Sequence, residues 1–151
     1  MSWEPPREGR IVVLPEGATA TDPDQGGPTL ADWSALLQVS PERVLVLPEV
    51  EADTSAARVA RVCLAITSAL PTPGEGIVLA AAGRAAAMLP SVGFAQRAAH
   101  RQVQAYVMAL DSIDQVPAPG TTEWPDAPVW IRTTDDHVRS AAELRGWRLL
   151  A

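Results

Sequence analysis

The chain has 151 residues, a formal charge of −6 and an apolar fraction of 47%, with few aromatics. That length suggests one domain, large enough to bury a core without disulfides or a structural metal. The acidic balance argues against nucleic acid as a partner, because such binding rests on neutralising phosphates with basic side chains.

The elements are read in chain order. The opening "MSWEPPREGR" lacks the apolar core of a signal peptide, and no apolar run in the chain approaches membrane-spanning length. "RIVVLP" (10–15) predicts a first strand, and the long polar stretch at 16–28 a loop beyond its end. "TLADWSALL" (29–37) predicts a helix with Leu30, Trp33 and Leu37 on one face. "RVLVLP" (43–48) predicts the next strand. Residues 54–70 then place Val59, Val62, Cys63, Ile66 and Leu70 at helical spacing, with Asp53 or Thr54 as cap and Pro71 as stop.

"GIVLAAA" (76–82) predicts a buried strand, followed by an alanine-rich helix over 84–99 that Pro90 kinks or divides. "VQAYVMAL" (103–110), a long loop at 111–126 and "APVWIR" (127–132) continue the alternation. A helix over about 136–145, starting at an Asp pair and stopping at Gly146, leads to a last strand at 147–150. Continuous apolar strands alternating with helices predict an open, doubly wound, mainly parallel α/β sheet of about five or six strands, with helices on both faces. No internal repeat and no second domain is visible. The lone Cys63 allows no intramolecular disulfide, which fits a cytoplasmic protein.

In such sheets ligands gather beyond the carboxyl ends of the strands. This directs attention to Glu16 and Gly17, to Gly83 and Arg84, to Asp111, and to Asp135, Asp136 and His137. Phosphate-binding sequences are absent: "GEG" (74–76) precedes a strand instead of following one, and the chain has no lysine for a Walker sequence. A nucleotide phosphate held by Gly83 and Arg84 stays physically open. The two histidines, His100 and His137, lack metal-ligand spacing, so no metal and no cofactor is expected. "TDDH" (134–137) is explained most simply by Asp135 or Asp136 as a helix cap; an acid beside His137 is the functional alternative, with a Ser112–His137–Asp136 arrangement as an imaginable triad. Trp124 is the better pocket or interface candidate, and Trp130, inside a strand, the better core candidate.

Taken together, these segments resemble the α/β-hydrolase superfamily in its small actinobacterial esterase-like form. "RIVVLPEGA" looks like the family's strand and oxyanion loop usually ending in His-Gly, with Glu16-Gly17 in that place. "IVLAAAGRAAAMLPSVG" is similar to the elbow Gly-His-Ser-x-x-Gly, so that Ala81, Ala82 and Gly83 match the glycine, histidine and serine. "WPDAPVWIRTTDD" looks like the strand delivering the triad acid, which the resemblance assigns to Asp135 or Asp136; the family's histidine falls beyond Ala151.

The resemblance implies a hydrolase scaffold without its nucleophile. The expected function is a catalytically inactive protein binding a small molecule or a protein partner in the former cleft, through Glu16, Gly17, Gly83, Arg84, Asp111 and Trp124. An unpaired sheet edge also makes a homo-oligomer a candidate partner. Two alternatives stand beside it. One is a non-triad isomerase, lyase or weak esterase using Asp111, Asp135 or His137, and the other a doubly wound nucleotide-binding domain.

Overall fold

The structure is a computed structural model, and it describes residues 2–15, 28–72, 74–117 and 127–150. Within these residues six strands make one all-parallel sheet: β1 (Arg10–Val13), β2 (Val44–Val46), β3 (Ile77–Ala82), β4 (Val103–Ala109), β5 (Val129–Arg132) and β6 (Arg148–Leu149). Their spatial order is β2-β1-β3-β4-β5-β6. All six predicted strands are present, each trimmed at its ends. Among the described residues the α-helices are α1 (Leu30–Leu37), α2 (Ser55–Ala69), α3 (Leu89–Ala98) and α4 (Asp136–Leu144).

Handedness explains where the helices lie. The step from β1 to β2 runs one way across the sheet, and the steps from β2 to β3 and onward run the other way. With right-handed crossovers, α1 must then pack on the face opposite α2, α3 and α4. The core divides accordingly. Val62 and Ile66 of α2, Leu89 and Val92 of α3, and Val138 and Ala142 of α4 join Leu79, Tyr106, Met108 and Ile131 on one face. Trp33 and Leu37 of α1 join Ile11, Val13, Val78, Val107 and Trp130 on the other. Strand β3 is buried along its whole length, as a central parallel strand covered on both faces should be.

Helix ends follow local chemistry. Thr29 and Asp32 form a reciprocal capping box at α1, and Thr54 caps α2 through the Ala57 N–H. α4 ends in a Schellman motif, with the Trp147 N–H donating to the Ala142 carbonyl and Gly146 at the C′ position. Two details differ from the sequence expectation. Leu30 is 40% exposed, because as the first residue of α1 it sits beyond the reach of the sheet. Residues 83–88 form a 3-10 turn where α-helix was expected from residue 84, and the stretch divides beside Pro90 as expected, with Pro90 in the first turn of α3. Proline lacks the N–H that an interior position would require, so the segment divides there.

Candidate functional site

The sheet order reverses between β1 and β3, and the crevice beyond their carboxyl ends is the natural ligand position of such a sheet. One side of it is built by the end of β1, where Leu14 and Pro15 are buried and the Leu14 N–H extends the ladder to the Ala80 carbonyl at 2.9 Å. The other side is the bend that leaves β3. Ala80, Ala81 and Ala82 bring the strand to the edge, and Gly83 turns it with a φ of +58°, a left-handed conformation that favours glycine. Among the described residues, a Cβ on Gly83 would meet the Gln115 amide nitrogen alone, at 3.7 Å, so the bend offers backbone and no side chain. Arg84 follows and is exposed.

The loop after β4 closes on this bend through a residue that the sequence reading did not select. The Gln115 side-chain carbonyl accepts from the Asp111 N–H at 2.7 Å, while its amide end stands over Gly83. Gln115 therefore joins Asp111, which is exposed, to the bend at Gly83. The Ser112 hydroxyl donates to the Asp114 carboxylate. That bond, then the Asp114 backbone, and to a smaller extent the nearby Arg84 charge hold the Asp114 carboxyl below its ordinary range. The only local signal for this cluster is the polar composition of "DSIDQ" after a strand.

The next strand end carries the remaining candidates. Asp135 accepts the Val138 N–H at 3.0 Å and donates its own N–H to the Thr133 hydroxyl at 3.0 Å, so its carboxylate is the N-cap of α4. Asp136 and His137 are exposed in the first turn of that helix. Among the described residues no serine or cysteine is hydrogen-bonded to a histidine, and no group of three or more His, Cys, Asp or Glu gathers as a metal site requires. Glu16, Gly17 and Trp124 lie outside the described residues. No helix among the described residues is long and apolar enough to cross a membrane.

Sheet order and crevice together define a doubly wound, Rossmann-like parallel α/β protein. Beyond that class, no protein family, curated protein or solved structure matches the chain.

Proposed function

We propose that this chain is a non-catalytic protein, similar in plan to an α/β-hydrolase, that binds a small carbonyl- or carboxylate-bearing molecule at the crevice beside Gly83 and Arg84. One observation carries the reading. Where the resembling family places an attacking hydroxyl, this chain turns on Gly83, at a φ of +58° and with no side chain to offer. Acyl transfer needs a nucleophile and a base within hydrogen-bond reach of it, and a bare bend supplies neither. What the bend retains is half-buried backbone at Gly83 and, one residue on, the exposed Arg84 guanidinium, suited to a negative or strongly polar oxygen.

Two measurements test this. A fluorophosphonate probe leaves the protein unlabelled, and Gly83→Ser by itself creates no turnover of p-nitrophenyl acetate. Short-chain carboxylates from acetate to hexanoate raise the melting temperature saturably, and Arg84→Ala removes that rise. Labelling at any serine, or carboxylate stabilisation unaffected by Arg84→Ala, overturns the reading.

A further inference from the structure

The turn that follows β4 aims a side-chain donor at the bend, and one hydrogen bond decides which end of it faces Gly83. Residues 113–115 wind as a short 3-10 turn, closed by the Gln115 N–H on the Ser112 carbonyl at 3.1 Å and the Val116 N–H on the Ile113 carbonyl at 3.2 Å. This turn packs against the one at 83–88, and Gln115 is half-buried. The Asp111 N–H can bond only to an acceptor, and it takes the Gln115 side-chain oxygen at 2.7 Å. With the oxygen held there, the amide N–H2 is the end turned towards Gly83.

The glycine leaves a hollow in front of that N–H2. A side chain at position 83 would start 3.7 Å from the Gln115 nitrogen, an ordinary contact, and would meet no other described atom within 4 Å, its chain neighbours aside. A ligand oxygen can therefore enter where a side chain would have stood and come within hydrogen-bond distance, about 2.9 Å, of the amide nitrogen. The loop's other polar groups do not take this part. The Ser112 hydroxyl donates to Asp114, and the Asp111 N–H donates to Gln115 itself. The carboxylates of Asp111 and Asp114 have no proton to offer an oxygen.

We infer that Gln115 is a ligand-binding residue of the Gly83 crevice, its side-chain N–H2 donating to an acceptor oxygen of the ligand in the hollow left by the glycine. This rests on the reading that the crevice binds a carbonyl- or carboxylate-bearing molecule, and it gives that molecule a second donor beside Arg84. Such a donor makes the crevice select for an acceptor. A carboxylate or carbonyl end gains the bond, whereas an ammonium end on a chain of equal length sets N–H against N–H and gains nothing.

Nuclear magnetic resonance of the full chain reads the contact directly. The Gln115 side-chain N–H2 signals, assigned in the parent protein, move saturably on titration with hexanoate, with the Kd that calorimetry gives, and hexylamine leaves them in place. Gln115→Glu keeps an oxygen for the Asp111 N–H but puts a carboxylate oxygen in place of the N–H2, and it weakens hexanoate by about tenfold or more. Gln115→Met adds no charge and still weakens hexanoate by about threefold or more, so repulsion is not the cause. Signals that stay in place while hexanoate binds in an Arg84-dependent way, or an affinity indifferent to Gln115→Met, overturn the role of Gln115 and leave the crevice reading standing. Absence of saturable hexanoate binding overturns both.

Discussion

Gly93 and His100 show how single positions reverse the usual preferences. A glycine inside a helix normally costs about 1 kcal/mol relative to alanine, so replacing it should help. At Gly93 of α3, however, a Cβ would overlap the Tyr106 hydroxyl, and Tyr106 is fully buried beneath the helix. Overpacking of this kind costs about 1–3 kcal/mol and exceeds the propensity gain. Gly93→Ala is therefore expected to lower stability by about 1 kcal/mol or more, read from urea denaturation midpoints. His100 is the opposite case. It occupies the left-handed C′ position of α3 with a φ of +64°, while the Arg101 N–H closes the motif on the Gln96 carbonyl. Glycine favours this conformation and histidine resists it, so His100→Gly should stabilise by about 0.5–1 kcal/mol, seen as a raised melting temperature. A neutral or negative result would mean that the imidazole makes a compensating contact.

Among the elements, α1 is short, at eight residues, and depends on its ends and on its packing against the sheet. Its capping box sends the Thr29 N–H to the Asp32 carboxylate at 2.8 Å and the Asp32 N–H to the Thr29 hydroxyl at 3.2 Å. The first of these bonds is the main reason the Asp32 carboxyl titrates below its ordinary value of 3.8. A depressed carboxyl stabilises the folded state above its unfolded pKa, and that contribution disappears as pH falls through the folded one. Asp32→Asn should accordingly be less stable than the parent at neutral pH, with the gap closing below pH 3.8. Melting temperatures measured across an acid series test this, and a gap independent of pH would refute it. The dividing proline has similar local logic. Pro90 was readable as an interruption, but that the preceding six residues wind as a 3-10 turn depends on Ala85 and Ala86 packing into the core beside Leu89.

For the molecule as a whole, burial grades outward from β3. All six of its residues are buried, whereas Val46 on edge strand β2 and Leu149 on edge strand β6 are 43% and 37% exposed. Native-state hydrogen exchange should find the β3 and β4 amides slowest and those of β2 and β6 fastest, since edges open without unfolding the centre. Equal protection across the sheet would contradict this gradient.

The strands and helices were legible because each is announced locally: β-branched runs closed by proline, apolar residues at helical spacing, Thr54, Asp135 and Gly146 at helix ends. The parallel class followed from strands apolar on both sides. The candidate site was legible only in part. Gly83 at the end of a buried strand pointed to it, but Gln115 beside it had no signal beyond loop polarity. Trp3 sits in a proline-rich, polar start, and nothing near it in sequence predicts Trp130 or Arg148 as neighbours. Local periodicity and end chemistry thus determined which elements form, because their causes lie within a few residues. Which strands adjoin, where the order reverses and which distant side chains share a wall were decided by the sheet itself. Such contacts exist only once the crossovers have laid remote segments side by side.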